Sequence, residues 1–309
     1  MDIALVGSKT YPETLLPRLR EALPQDRFHV HPQTPDPASV SIALVAAPQA
    51  GEVAQLPNLK LIQCLWMGVD ALVLDRTLPK GVPVARMVDP SMVAAMTESV
   101  LHAVIDFHRC FYLYRAQQAE RRWMHLKQYM ASERTVGFLG MGELGADASA
   151  RLVALGFQVC GWSRSAKSLP GVKNYIGESG LAEMLPTCDM LVCLLPLTPQ
   201  TRGLLSKKLL DRMKDGSALI HLARGSQMVT NDVVAALDSG KLAHAYLDVF
   251  ETEPLPADDP LWAHPKVTVT PHIAALTEPR TATAIISENV ARVRRGETPL
   301  HLVDFSAGY

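Results

Sequence analysis

The stretch TVGFLGMGELGADASARLVALG (135–156) decides how this chain folds. It opens on a short apolar run, passes through Gly140, Gly142 and Gly145, and continues without Gly or Pro as far as Leu155. That is the pattern of a strand, a Gly-x-Gly-x-x-Gly turn and a helix. In such a unit Gly140 permits the tight turn, Gly142 lets backbone approach a pyrophosphate, and Gly145 lets the helix pack on the strand. The helix N-terminus then faces the phosphates. The spacing by itself also fits a turn with no ligand. A second apolar run, FQVCGWS (157–163), follows at the right distance and favours a dinucleotide-binding unit.

An acidic residue about 20 residues past the glycine loop ordinarily accepts from the adenine ribose. Here that place reads Trp162-Ser163-Arg164-Ser165, without a carboxylate. A carboxylate would bind the 2′-hydroxyl of NAD and repel a 2′-phosphate. Arg164 reverses this by pairing with the phosphate, and the Ser163 hydroxyl donates to it. Ser165 and Lys167 assist, or Lys167 is a solvated loop charge. Two good contacts of about 1.5–3 kcal/mol each imply NADP, with NADPH preferred over NADH by roughly a hundredfold or more. The competing reading makes Arg164 an exposed loop residue only.

Outward from this unit the chain of 309 residues is long enough for roughly two domains. Before it, DIALVG (2–7), FHVH (28–31), IALVAA (42–47), LKLIQCLW (59–66) and VPVARMV (82–88) read as strands, and PETLLPRLREAL (12–23) as a helix. The stretch 91–123 is helical, as two helices, and bridges two domains. After the glycine loop come strands at 157–163, 189–196, 217–223, 244–250 and 267–271, then a last helix over 277–297 that packs back toward the first domain. Strands alternating with helices mean an α/β fold with parallel sheets.

Net charge is −1, which gives no electrostatic reason to expect nucleic acid or an anionic membrane as partner. No apolar run approaches the ~20 residues of a membrane span. The start, MDIALVG, reads as a first strand rather than a signal peptide. The five cysteines are scattered and contain no C-x-x-C, as expected for reduced thiols in a cytoplasmic protein.

Three polar residues follow apolar runs, where this fold places chemistry. Arg224 follows ALIHLA, Glu253 follows AYLDVF, and His272 follows VTVT. Reducing a ketone by hydride requires a proton for the oxygen, which His supplies near neutral pH. A carboxylate stabilises the imidazolium, and an arginine grips a substrate carboxylate with two parallel bonds. Taken singly, each residue also fits a plain structural role, as a strand end, a turn or a cap.

The segments GMGELG, LLPLTPQTRGLL, LARGSQMVTNDVVAALDSGKLAHAYLDVFETEPLP and HPKVTVTPHIAALT resemble the D-isomer-specific 2-hydroxyacid dehydrogenase family over nearly the whole chain. CGWSR followed by SLPGV, and the terminal AGY, are most similar to bacterial glyoxylate/hydroxypyruvate reductases of the A type. The resemblance implies two doubly wound parallel-sheet domains. A Rossmann cofactor domain (97–280) is inserted into a flavodoxin-like substrate domain (1–96 and 281–309). It implies Arg224 as substrate anchor, His272 as acid/base and Glu253 as its partner. It also implies a cofactor site of Gly140, Met141, Gly142, Glu143, Leu144, Gly145, Trp162, Ser163, Arg164, Ser165, Leu195, Pro196, Thr201, Ala223, Arg224, Asp248, His272 and Ala274. Asp248 would accept from the nicotinamide carboxamide. CLWMGVD (64–70) matches a loop whose backbone N–H groups bind the substrate carboxylate, so Trp66, Met67 and Gly68 join Arg224 and His272 as substrate residues. Many members carry small residues at the places of Trp66 and Met67. These bulky side chains either favour short substrates or point into the core. Trp123 matches an aromatic that reaches the partner's active site in some relatives, or is a core residue at a helix end. A homodimer joined through the cofactor domains follows from the same resemblance.

His29 and His31 share a strand face with no carboxylate nearby in sequence and read as structural. His102 and His108 are badly spaced to share a ligand. No metal is expected, because the cofactor carries the hydride. The leading function is NADPH-dependent reduction of glyoxylate and hydroxypyruvate. A nicotinamide-sensing module like the C-terminal-binding corepressors, or the same enzyme acting on a bulkier 2-oxo acid, are the alternatives.

Overall fold

The computed structural model describes residues 1–306 and residue 308, so Ala307 and Tyr309 of the AGY motif lie outside the described residues. The chain divides into two units, Met1–Met92 with Leu276–Tyr309, and Val93–Ala275. These limits lie a few residues from 96/97 and 280/281. A small cluster draws them there: the Asp89 carboxylate accepts from Ser91 N (2.9 Å) and Thr281 Oγ1 (2.6 Å), which ties the chain before Val93 to the returning segment.

The first unit contains β1 (Asp2–Val6), α1 (Pro12–Ala22), β2 (Arg27–Val30), β3 (Val40–Val45), β4 (Leu61–Cys64), α2 (Asp70–Leu74) and β5 (Val84–Ala85). The sheet order is β2-β1-β3-β4-β5 and every pairing is parallel. This is the flavodoxin-like order. β1 and β4 are buried along their whole length, as strands covered on both faces must be. His29 does meet a carboxylate. Parallel pairing of β1 with β2 sets its Nε2 2.9 Å from Asp2 Oδ1, a neighbour that linear sequence does not show.

Helix α3 (Pro90–His108) leads into the second unit. It is followed by α4 (Phe111–Ala119), β6 (Thr135–Leu139), α5 (Glu143–Ala154), β7 (Gln158–Ser163), β8 (Val172–Ile176), α6 (Gly177–Met184), β9 (Met190–Cys193), α7 (Lys207–Leu210), β10 (Ser217–His221), α8 (Thr230–Asp238), β11 (Leu242–Leu247) and β12 (Val267–Val269). Seven parallel strands run β12-β11-β10-β9-β6-β7-β8. The order reverses between β6 and β9. Ligands bind such sheets outside the carboxyl ends of the strands at that reversal.

The stretch 91–123 is not helical to its end. The chain turns left-handed at Cys110 (φ 59°) and again at Arg121 (φ 55°). Arg122 N donates to Gln117 O (2.8 Å) and Arg121 N to Gln118 O (3.1 Å), a Schellman stop built without glycine. Trp123 therefore lies past α4 and is 91% exposed, not a core residue.

The last helix, α9 (Pro279–Arg295), belongs to the first unit and packs along α1. Buried Asn289 donates to Gln63 Oε1 of β4 (2.6 Å) and accepts from Leu300 N (2.7 Å). Arg294 bonds both oxygens of Asp26. Val303 N then donates to Val84 O (2.8 Å), so the chain end covers the free edge of β5.

A polar knot crosses the second unit's core. Buried Asp106 of α3 accepts two bonds from Arg115 (2.7 and 2.8 Å) and one from Tyr246 Oη (2.6 Å). Burial pushes the Asp106 carboxyl up, but these bonds outweigh it and hold it below the usual carboxylate range. A folded-state value lowered in this way adds stability above the unfolded value of about 3.9, and that stability is lost as pH falls through the folded value. Tyr246→Phe should cost about 1.5–3 kcal/mol near neutral pH, read as a lower urea midpoint at unchanged slope. The gap to the parent should narrow below about pH 4. A midpoint equal to the parent's would show that the bond contributes nothing.

Candidate active site

Three loops leave the neighbouring strands β10, β11 and β12 at their carboxyl ends. The first carries Arg224. His221 closes β10 with no exposure, and burial pushes its ring down to about 4. The neutral ring donates from Nε2 to Arg224 O (2.9 Å). Gln227 Oε1 accepts from Arg224 N (3.2 Å), so both faces of the arginine's backbone meet buried side chains. Arg224 Nη1 donates to Ala223 O (2.8 Å), which orients the guanidinium. A Cβ on Gly225 would lie 1.9 Å from the Phe250 carbonyl carbon. Only glycine lets the Arg224 loop press on the loop after β11.

That second loop holds Asp248 and Glu253. Asp248 is 1% exposed. Its Oδ1 accepts from Thr270 Oγ1 (2.6 Å) and Ile273 N (2.9 Å), and its Oδ2 from Ala274 N (3.0 Å). Its backbone carbonyl accepts from His272 N (2.9 Å). Asp248 thus holds the third loop around His272, whose φ is 54°. Oδ2 keeps a lone pair for a further donor. Glu253 Oε1 accepts from Phe250 N (2.9 Å), and Oε2 sits 2.7 Å from His272 Nδ1. The fold therefore joins Glu253 to His272 directly and sets Arg224 on the adjoining loop.

At the glycine turn Gly140 adopts φ 103° and donates to Trp162 O (3.0 Å). A Cβ on Gly145 would fall 2.1 Å from Gly140 O, whereas one on Gly142 meets only open space. Helix α5 starts at Glu143, and its first N–H groups have no acceptor within the helix. Open space above Gly142 and a helix N-terminus together fit a pyrophosphate. Met141 is buried beneath Gly161 and offers only backbone, and the Leu144 side chain packs into the core.

Beyond β7, Arg164, Ser165 and Lys167 are exposed. The loop uses the Ser163 hydroxyl differently from the expectation. Ser163 is buried, donates to Ser165 O (2.8 Å) and accepts from Asn174 Nδ2 (3.0 Å). Asn174 Oδ1 also accepts from Lys167 N (2.8 Å), so this residue of β8 staples the whole turn. Trp162 is occupied too, donating from Nε1 to Gly177 O (2.8 Å). After β9, Thr201 Oγ1 donates to Pro196 O (2.7 Å), and Gln227 Nε2 reaches both Leu195 O and Pro196 O (3.0 Å each). Ala223 and Ala274 are buried.

In the first unit the loop after β4 is organised by Cys64. Trp66 N approaches its Sγ at 3.4 Å, and the thiol points toward Gly68 O at 3.9 Å. Trp66 is half-buried, with its indole packed against the first unit's core. Met67 is half-buried. Sequence reasoning missed His221, Gln227 and Asn174, whose bonds to Arg224, Leu195 and Ser163 form only in the folded sheet.

Residues 101–274 match the family described as D-isomer specific 2-hydroxyacid dehydrogenase, NAD binding domain. Among solved structures, the chain is 40% identical to a D-isomer-specific 2-hydroxyacid dehydrogenase from Xanthobacter autotrophicus Py2, in complex with NADPH and MES. That match covers 100% of this chain and 99% of the other, with a TM-score of 0.96. An NADPH-dependent glyoxylate/hydroxypyruvate reductase from Sinorhizobium meliloti, in complex with NADP and sulfate, is 35% identical over 100% of both chains, with a TM-score of 0.94. A probable 2-hydroxyacid dehydrogenase from Rhizobium etli CFN 42, with NADP, HEPES and L(+)-tartaric acid, is 35% identical over 100% of this chain and 99% of the other, with a TM-score of 0.92. The chain belongs to the D-isomer-specific 2-hydroxyacid dehydrogenase family, a family of oxidoreductases, and its inserted unit carries the family's NAD-binding domain.

Gly225→Ala should part the Arg224 loop from the Phe250 backbone. We expect a stability loss of about 1–3 kcal/mol and an activity loss of about tenfold or more in the protein that remains folded. Parent-like activity with a parent-like melting temperature would show that this close approach is dispensable.

Proposed function

We propose that the protein reduces small 2-oxo acids with NADPH, glyoxylate to glycolate and hydroxypyruvate to D-glycerate. The observation that carries the reading is the 2.7 Å pair between His272 Nδ1 and Glu253 Oε2, set beside Arg224 on adjoining strand-end loops. Arg224 grips the substrate carboxylate through parallel guanidinium bonds. Glu253 holds the proton on His272 Nδ1, which leaves Nε2 to give its proton to the carbonyl oxygen. When bound, the nicotinamide supplies the hydride. The glycine turn and α5 hold the pyrophosphate, and the exposed Arg164 and Ser165 receive the 2′-phosphate. Three relatives in complex with NADP or NADPH support that choice.

We further propose a homodimer joined through the cofactor units. Phe111, Leu113, Trp123, Met124 and Met130 expose large apolar side chains along one segment, which supports it. Five free cysteines fit a reducing, cytoplasmic compartment. Among the described residues no helix is long and apolar enough to cross a membrane.

The test is absorbance at 340 nm with a panel of 2-oxo acids and both cofactors. Turnover of glyoxylate and hydroxypyruvate with NADPH is expected, and none with either acid would overturn the proposal. In Arg164→Ala, kcat/KM for NADPH should fall by about tenfold or more while that for NADH barely moves. Equal loss for both cofactors, or a parent that prefers NADH, would remove Arg164 from the phosphate site. Light scattering at micromolar concentration checks the dimer, and a monomer mass would end that part.

A further inference from the structure

We infer that Gln227 is a positioning residue that locks the substrate-anchoring Arg224 loop to the Leu195–Pro196 loop, an inference that rests on the proposed role of Arg224 and on Leu195 and Pro196 as cofactor-contacting residues. Gln227 has no exposure and lies on the single turn that follows β10. Its Oε1 accepts from Arg224 N at 3.2 Å, and its Nε2 donates to Leu195 O and Pro196 O, both at 3.0 Å. One buried carboxamide therefore serves a donor on one half-buried loop and two acceptors on another. The chemistry selects an amide. A carboxylate would set an oxygen against two carbonyls, and an apolar side chain would leave all three groups unpaired.

The backbone already zips the far ends of these loops. Gly203 N donates to Ser226 O, Leu205 N to Gln227 O and Val229 N to Leu205 O. The ends nearest Arg224 and Pro196 are joined by the Gln227 side chain. On the other side His221 Nε2 fixes Arg224 O, so the arginine's peptide is held at its N–H and at its C=O. A shift of this amide displaces the guanidinium and the Leu195–Pro196 carbonyls together. Gln227 thus sets substrate and cofactor positions as one unit without touching either.

The experiment uses the whole protein with Gln227→Met, which keeps length and removes every bond, and Gln227→Glu, which keeps an acceptor and removes the donors. Hydrogen exchange without ligand reads the tie itself. Both variants should exchange faster in segments 194–203 and 222–229, with the melting temperature within a few degrees of the parent for Gln227→Met and lower for Gln227→Glu, whose buried carboxylate faces two carbonyls. In turnover, KM for glyoxylate and for NADPH should each rise by about tenfold while kcat changes less than about threefold. Parent-like exchange in either segment, or one KM moving without the other, overturns the inference. A parent that turns over no 2-oxo acid overturns the proposed function instead, and the exchange measurement still decides the tie.

Discussion

Asp248 places a carboxylate where almost no water reaches it. A buried charged group needs donors, and without them its cost reaches many kcal/mol. The loop after β12 supplies them: the Thr270 hydroxyl and the amides of Ile273 and Ala274. That demand bends the chain between Thr270 and Ala274 and leaves His272 in the left-handed region, roughly 1–2 kcal/mol less favourable for a residue with a Cβ. The imidazole meets Glu253 because the backbone on either side of it is committed to Asp248. The His272–Glu253 pair is therefore set by a buried group next to it as much as by its own bond.

The same economy recurs at the neighbouring strand ends. Parallel strands deliver polar residues to one edge of the sheet, but their loops fall into register only if backbone touches backbone or a side chain bridges them. Gly225 makes the first kind of contact against Phe250, and Gln227 and Asn174 make the second. The exposed side chains of Glu253 and His272 sit outside this inner layer. Substitutions in the layer reach the chemistry through the geometry of other residues.

What the sequence made legible follows from how local the physics is. A glycine turn between strand and helix depends on backbone sterics alone, so the turn at Gly140, Gly142 and Gly145 is readable from the residues themselves. Arg224, Glu253 and His272 stood out as polar residues after apolar runs, in a fold whose strand ends converge. The edge strand β8 did not, because VKNYI mixes Lys173 and Asn174 into a short run and faces little core. The stop after α4 was hidden because Arg121 occupies a left-handed position that usually signals itself through glycine. Partner choice for Ser163, Trp66 and Gln227 depends on residues brought close only by the folded sheet, and no spacing rule reaches them.

The return of α9 to the first unit has a consequence for how the molecule is made. The sheet β2-β1-β3-β4-β5 is synthesised first, yet Gln63 and Asp26 wait for Asn289 and Arg294, more than two hundred residues later. The inserted unit needs nothing beyond Ala275 to complete its own sheet. Growing chains fold domain by domain as they emerge. The unit that starts the chain therefore cannot complete these bonds until the last helix is made. Until α9 is made, Gln63 and Asp26 of the first sheet lack the Asn289 and Arg294 that meet them in the finished fold.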